Sequence, residues 1–160
     1  MTDTSLTAIT DADEPTSDSP QLLADGGSAE GVVTIESDAS VDESVDRVKA
    51  AIEDIDGLNL MAEFDHAANA ASVDRDLVAT TVLVFGNPNI GTPLMQENRT
   101  VAIDMPQKLL VAEHDDGRVT VSYNDPDYLA ERHGIAPDHE TLETIAGALS
   151  SLAAATVGDE

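Results

Sequence analysis

Hydrophobic residues between positions 41 and 55 recur at intervals of three and four, and most of the positions between them are polar. This spacing places the apolar side chains on one face of an α-helix. Ser40 and Glu43 form a capping box at its start, in which each side chain bonds the other residue's backbone N–H. Gly57 is placed to end the helix. The predicted apolar stripe is Val41, Val45, Val48, Ile52 and Ile55.

Runs of β-branched and alternating apolar residues predict strands. Residues 58–64 alternate apolar and polar side chains, which predicts a half-buried strand, whereas the continuous apolar run at 81–85 predicts a central strand. Asp116 and Gly117 separate two apolar runs and predict a β-hairpin. The predicted strands cover residues 32–35, 58–64, 81–85, 108–114 and 118–123.

Two short helices are predicted in the middle of the chain. Asp65 is a suitable N-cap for an Ala-rich helix at residues 66–71. Thr92 as N-cap and Pro93 as first helical residue predict the start of a second helix. Residues 99–106 show no clear pattern.

Two more helices are predicted near the C-terminus. Asp125 and Pro126 open the first of them, and Gly134 ends it. The second begins near Asp138 and has an apolar face at helical spacing. That face consists of Leu142, Ile145, Ala146, Leu149, Leu152 and Ala153.

The order of these elements predicts an α+β fold. A run of strands followed by helices is typical of two layers, with the helices packed on one face of a mostly antiparallel sheet. Residues 1–30 are acidic and rich in Ser, Thr, Pro and Gly, so we expect a disordered acidic tail there. Residues 31–157 are predicted to form a single domain.

Charge is the most unusual property of the chain. Its 160 residues include 32 Asp and Glu against 7 Lys and Arg, a formal net charge of −25. This charge excludes nucleic-acid phosphate as a partner, because that affinity comes from Lys and Arg. The absence of Cys excludes disulfides and cysteine nucleophiles. A carboxylate-rich surface with few lysines is typical of cytosolic proteins of salt-loving archaea, so we expect a halophilic protein.

The compartment expected from the sequence is the cytoplasm. The N-terminal residues lack the basic and apolar regions of a secretion signal. No apolar run approaches the roughly 20 residues that span a bilayer. The acidic charge also disfavours anionic membrane surfaces, so no membrane partner is expected.

Three motif blocks carry a resemblance to a known family: F-G-N-P-x-x-G-T-P-L-M-Q at 85–96, D-x-P at 104–106, and V-S-Y-N-D-P-x-Y-L-A-x-R-H-G at 121–134. With Asp65-His66, they make the chain resemble the prokaryotic family named domain of unknown function 302. The resemblance implies a two-layer β-α-β(4)-α fold of the TATA-binding-protein-like kind, commonly dimeric. The chain departs from the family at Ala112, where members often have Trp, and matches poorly over residues 67–81.

The Gly- and Pro-rich block at 85–96 admits two interpretations. It ends at a predicted helix N-terminus, where backbone N–H groups bind anions. It lacks the Lys and the spacing of a phosphate-binding loop. The simpler interpretation is a tight turn, in which Gly86 and Gly91 adopt unusual backbone angles and Pro88 and Pro93 fix theirs.

His66 is the one candidate for a catalytic base, because imidazole titrates near neutral pH. A His that follows an Asp at the end of a strand is more often a structural hydrogen-bonding residue. Asp104 is a candidate partner for His66 or Asn87.

His139 and Glu143 have the spacing of metal ligands on a helix, but a solvated acidic face explains them better. Neither a metal nor a cofactor is expected.

Polar residues at predicted strand ends suggest a ligand site beside the Gly- and Pro-rich block. The favoured hypothesis is a non-catalytic homodimeric module that binds a small ligand or a partner in a groove between sheet and helices. The alternatives are an enzyme that uses His66 as base, and a structural or interaction protein. The candidate ligand-binding residues are His66, Asn87, Thr92, Gln96, Asp104, Tyr123 and Asp125.

Overall fold

The computed structural model describes residues 29–157, which belong, apart from Ala29 and Glu30, to a compact unit that begins at Gly31. The predicted tail lies outside the described residues except for these two. The strands are β1 (Val32–Ser37), β2 (Asn59–Asp65), β3 (Thr80–Gly86), β4 (Gln107–Glu113) and β5 (Val119–Asn124). The helices are α1 (Val41–Asp54), α2 (His66–Ala71), α3 (Pro88–Glu97), a 3-10 helix (Arg99–Asp104), α4 (Pro126–His133) and α5 (Glu140–Ala155).

The strands form one five-stranded sheet in the order β1-β5-β4-β3-β2, and all neighbouring strands are antiparallel. The α+β fold with an antiparallel sheet is therefore confirmed. The predicted hairpin joins β4 to β5, with Glu113 opposite Val119. Gly117 in its turn has a φ of +92°, a conformation that favours glycine.

The core lies between the helices and one face of the sheet. Leu83, Leu109 and Val121 come from adjacent strands and are fully buried. Opposite them, the predicted α1 stripe is buried from Val41 to Ile52, and the α5 stripe is buried except for Ala146, which is exposed. The placement of Ala146 on the buried face was wrong, because the α5 contact with the sheet is narrower than its run of small apolar residues.

The prediction that residues 58–64 form a half-buried strand is wrong in its burial. β2 is an edge strand, paired only with β3, and most of its side chains are exposed. Leu60 and Phe64 have 38% and 47% of their surface exposed. Alternation looks the same in an edge strand and an interior strand, so the pattern did not distinguish them.

Side-chain caps begin most of the helices. As predicted, Ser40 accepts the backbone N–H of Glu43, and Asp65 accepts that of Ala68. Asp125 caps α4, and Gly134 ends it with a φ of +70°. The last helix begins at Glu140, close to the predicted start.

The predicted start of α3 at Thr92 is wrong. The helix begins five residues earlier than Pro93, at Pro88, with Asn87 as its N-cap. Pro88 at the first helical position lacks only an N–H that has no helical partner, so it favours this earlier start. Pro93 consequently lies inside the helix.

The sheet face that points away from the core is apolar towards β2 and polar towards β1. Directly opposed residues of an antiparallel pair share a face, so Phe64, Val82 and Leu110 lie in one row across β2, β3 and β4. The row continues through Ser122 to Thr34, whose hydroxyl oxygens lie 2.8 Å apart. We call this surface the open sheet face.

Candidate functional site

A groove of about 430 Å³ opens between the end of the sheet, α3 and α5. This volume lies within the range of small-molecule sites. Its lining is mostly apolar, and its polar members stand largely at the mouth. The lining residues are Ile55, Asp56, Leu58, Met61, Phe85, Gly86, Asn87, Pro88, Ile90, Gly91, Thr92, Met95, Ala102, Met105, Pro106, Gln107, Thr144, Ile145, Ala148 and Leu149.

The N-terminus of α3 does not present free amide groups to the groove. Pro88 has no N–H, and the Asn89 N–H donates to Asn87 Oδ1 at 3.0 Å. The N–H groups of Ile90 and Gly91 both donate to the Asn87 carbonyl oxygen at 2.9 Å. The first amides of the helix are therefore satisfied within the loop, and the anion-cradle interpretation of the 85–96 block is wrong.

The glycines of this block make room for side chains. A Cβ atom on Gly91 would lie 3.0 Å from the Met105 methyl group and 3.8 Å from that of Met95. A Cβ atom on Gly86 would lie 3.3 Å from Pro106 Cβ. Both residues have negative φ, so they serve close packing rather than unusual backbone angles.

The three internal methionines, Met61, Met95 and Met105, all line the groove. Methionine is unbranched and polarisable, and surfaces rich in it adapt to ligands of different shape. Met61 has 50% of its surface exposed, which is high for such a residue. The wall of the groove is thus apolar and deformable.

Gln107 is the buried polar group of the groove, with 8% of its surface exposed. Its amide Nε2 donates to Met105 Sδ at 3.4 Å, a weak acceptor. Among the described residues, Gln107 Oε1 has no hydrogen-bond partner. Every fully buried side-chain oxygen or nitrogen in this part of the chain does have a partner, so Oε1 is not fully buried. Oε1 is therefore accessible, and the groove is the space large enough to reach it.

The predicted ligand-binding residues do not converge on one site. Asn87 and Thr92 line the groove, but Gln96 is exposed on α3 and does not. Asp125 Oδ1 accepts the Asp127 N–H as the cap of α4. Tyr123 packs half-buried against the core, and burial, with a smaller contribution from Asp125, raises the pKa of its hydroxyl. The structure does not bring all of these residues together at one place.

His66 is exposed at the start of α2 and stacks on Phe64, with ring centroids 6.5 Å apart. Among the described residues, no carboxylate bonds its ring, and Asp65 instead caps the helix. His66 does not line the groove. The structure thus provides no orienting group for a base at this position.

Asp104, a candidate partner for His66 or Asn87 from the sequence, pairs with neither of them. Its Oδ2 lies 2.5 Å from Nε2 of the buried His133 and 2.9 Å from the Arg132 guanidinium. The other ring nitrogen of His133 lies 3.0 Å from Thr100 Oγ1, and Asn98 Nδ2 donates to the His133 carbonyl. We call Asp104, His133, Thr100 and Asn98 the clasp, because they join the 3-10 helix to the end of α4.

Comparison with known proteins assigns this architecture to a family. The family model described as "Domain of unknown function DUF302" matches residues 33–152. The chain belongs to the DUF302 family. A crystal structure of the uncharacterized conserved protein DUF302 from Bacillus stearothermophilus has the same fold, with a TM-score of 0.70 and 18% identity, covering 80% of this chain and 99% of that one.

Two curated relatives are named "Fluoride-specific ion channel FluC 1", from Brucella suis biovar 1 (strain 1330) and Brucella abortus biovar 1 (strain 9-941). Each is 41% identical over 105 residues, which is 66% of this chain and 41% or 38% of the relative. The DUF302 chain thus spans about two fifths of their length. No helix within residues 29–157 is long and apolar enough to cross a membrane.

The motif blocks that carried the DUF302 resemblance meet at two places in the fold. Residues 85–96 form one wall of the groove, and Pro106 of the D-x-P block forms part of another. Asp104 of the same block and His133 of the third block both belong to the clasp. The segment between Arg99 and Gln107 therefore connects the clasp to the groove.

Several lining residues were missed as site residues. Gln107 lies two positions before Leu109 and four before Val111, so a polar residue occupies the buried parity of a strand. That position was a usable signal. Met95 and Met105 carry no such signal in the sequence, and only the tertiary structure shows that they border open space.

Proposed function

We propose that this chain is a binding module whose groove takes a small, mostly apolar ligand. The observation that carries the proposal is the open volume of about 430 Å³. A cleft of a few hundred Å³ with a mostly apolar lining and a few polar groups is the usual form of a small-molecule site. The satisfied amides of α3 and the isolation of His66 from carboxylates favour binding over catalysis.

A neutral fluorescent probe tests this proposal. N-phenyl-1-naphthylamine brightens in apolar surroundings, and the chain contains no Trp to interfere. Ala148→Phe places a ring in the groove, whereas Ala146→Phe adds the same ring on the exposed face of the same helix. We expect saturable probe binding that Ala148→Phe abolishes and Ala146→Phe retains. Equal binding by both variants would remove the groove as the site.

We propose that the open sheet face is the contact of a homodimer. Phe64, Val82 and Leu110 form an apolar row there, and Phe64 has 47% of its surface exposed. Because the chain carries a charge of −25, two copies are expected to meet where acids are sparse.

The mass of the particle in solution, measured by light scattering in molar KCl, tests the dimer. We expect Leu110→Glu to yield a monomer, because it places an acid in the middle of the apolar row. Ala146→Glu adds the same charge on the exposed face of α5, in the helical layer, and should remain dimeric. A wild-type monomer contradicts the proposal.

The two relatives named as fluoride channels favour a second candidate function. We propose that the DUF302 segment is an accessory module of a membrane transport protein, whose channel portion lies in the remaining length of those relatives. The test is fluoride efflux from vesicles that contain a fluoride channel from the same organism, with and without this chain. Unchanged efflux and no co-purification with the channel would remove this candidate.

We propose that the protein works in a salt-rich cytoplasm. Support comes from the composition of the chain, which has 32 acidic residues against 7 basic ones. The acidic side chains repel one another in dilute buffer. Molar salt reduces the Debye length to about 3 Å and removes most of this repulsion. The expected result is a Tm that rises steadily from dilute buffer to molar KCl. A Tm independent of KCl contradicts it.

A further inference from the structure

The chemistry of the groove restricts which ligands it accepts. Among the described residues that line it, Asp56 alone carries a charge, and it is exposed at the mouth. A buried anion would find neither a Lys nor an Arg there, and it would lose its hydration without compensation. The satisfied α3 amides provide no substitute for that hydration. Carboxylates and inorganic anions are therefore disfavoured.

The buried end of the groove carries a neutral group instead. Gln107 Oε1 is an acceptor without a partner among the described residues, and its Nε2 bonds only the weak acceptor Met105 Sδ. An ammonium group there would gain a single neutral acceptor, too little to offset its desolvation. A hydroxyl or an amide N–H fits this acceptor at much lower cost.

We propose that the natural ligand is a neutral, largely apolar molecule with one hydrogen-bond donor, whose head donates to Gln107 Oε1 while its body lies against the methionines. This inference rests on the proposed binding function and specifies its ligand class. Met95 and Met105 lie beside Gly91, where no side chain separates the α3 backbone from their methyl groups. They supply the adaptable apolar surface that such a body requires.

Competition with a matched series tests the ligand class. The competitors share a naphthalene ring: 1-naphthamide is neutral with a donor, 1-naphthoate is an anion, and 1-naphthylmethylammonium is a cation. Each compound is titrated against N-phenyl-1-naphthylamine bound to the wild-type protein in molar KCl at pH 7, and its displacement of the probe is measured. Molar salt screens the net charge, so the remaining discrimination belongs to the groove. We expect the amide to bind at least about ten-fold more tightly than either ion.

Two isosteric variants test the role of the acceptor. Gln107→Met and Gln107→Leu remove Oε1 with little change of volume and are expected to weaken 1-naphthamide about 2- to 10-fold. Binding of 1-methylnaphthalene, which has no donor, should stay the same. The ligand class would be overturned if naphthoate or the ammonium compound bound the wild-type protein as tightly as the amide, a measurement that needs no variant. It would also be overturned if both variants bound the amide as tightly as the wild-type protein does.

The failure of this inference is distinguishable from the failure of the binding function. If Ala148→Phe abolishes probe binding while naphthoate competes as well as the amide, the groove binds but the ligand class is wrong. If the wild-type protein binds no probe, or Ala148→Phe binds it normally, both the binding function and the ligand class fall.

Discussion

Two strand-to-helix turns in this molecule share a local sequence pattern but differ in the space beside them. β3 leads through Phe85-Gly86-Asn87-Pro88 into α3, and β5 leads through Tyr123-Asn124-Asp125-Pro126 into α4. In each turn an Asn or Asp caps the helix and a Pro takes its first position. Beside α3 lies the groove of about 430 Å³, whereas the cavity beside α4 measures about 10 Å³.

The difference lies in what packs across each turn. Pro126, Leu129 and Ala130 are buried against the core, and the remaining space is too small for more than one water. On α3, Gly91 occupies the corresponding inner surface and Pro88 is exposed. Capping residues thus determine where a helix begins, and the side chains that follow determine whether the space beside the turn is filled or left open.

The largest expected effect comes from opening the closed turn. Leu129 has 4% of its surface exposed, so Leu129→Ala leaves a cavity and should lower the free energy of unfolding by about 2–5 kcal/mol. Ile90→Ala borders space that is already open and should cost only about 1 kcal/mol. Urea unfolding followed by circular dichroism in molar KCl measures both. Equal losses would show that the groove is closed in solution.

The clasp should give the next largest effect. Asp104→Ala leaves the buried His133 ring without its acceptor and is expected to cost about 1–3 kcal/mol. Arg132→Ala removes a salt bridge whose cation is half exposed, and it should cost less than about 1 kcal/mol. Because the clasp holds the segment that carries Met105, Asp104→Ala should also weaken probe binding. Unfolding midpoints and probe titration together check this, and an unaffected midpoint for Asp104→Ala contradicts it.

Much of the local structure was predictable from short patterns. The α1 stripe and its Ser40 cap, the hairpin at Gly117 and the Asp125 cap all depend on neighbouring residues and were confirmed. The edge position of β2 was not predictable, because strand order depends on pairings between distant segments. The start of α3 was predicted wrongly because two Pro positions, Pro88 and Pro93, both suit a helix N-terminus.

The site was less predictable than the fold. Asn87 and Thr92, which were candidates because of their position in a motif, line the groove. The contact between Asp104 and His133 joins residues separated by 29 positions, and spacing alone does not reveal such a pair. Gln107 was detectable as a polar residue at a buried strand position, but the open space beside it depends on helices from other parts of the chain.

Removing the capping side chain of each helix is a third comparison of the two turns. Asn87→Ala and Asp125→Ala should each lower the free energy of unfolding by about 1 kcal/mol, because each leaves one amide of its helix unsatisfied. Only Asn87→Ala should change probe binding, since Asn87 lines the groove and Asp125 does not. Parallel unfolding and probe titrations measure both effects. Weakened probe binding in Asp125→Ala would mean that the turns are coupled.

The smallest expected effect is a dependence of stability on alkaline pH that belongs to the β5 turn alone. Tyr123 corresponds to Phe85 in the other turn, and burial, with Asp125 nearby, raises the pKa of its hydroxyl above the ordinary 10.0. The folded protein therefore holds this proton more tightly than the unfolded chain, and the contribution is fully present below pH 10. As the pH rises through the raised pKa, the free energy of unfolding should fall. Tyr123→Phe makes the two turns alike and should remove this part of the fall in unfolding free energy with pH, measured by urea unfolding above pH 10. A pH dependence unchanged by Tyr123→Phe would assign the fall to other groups. One such group is Lys49, whose hydrogen bond to Glu63 also raises its pKa.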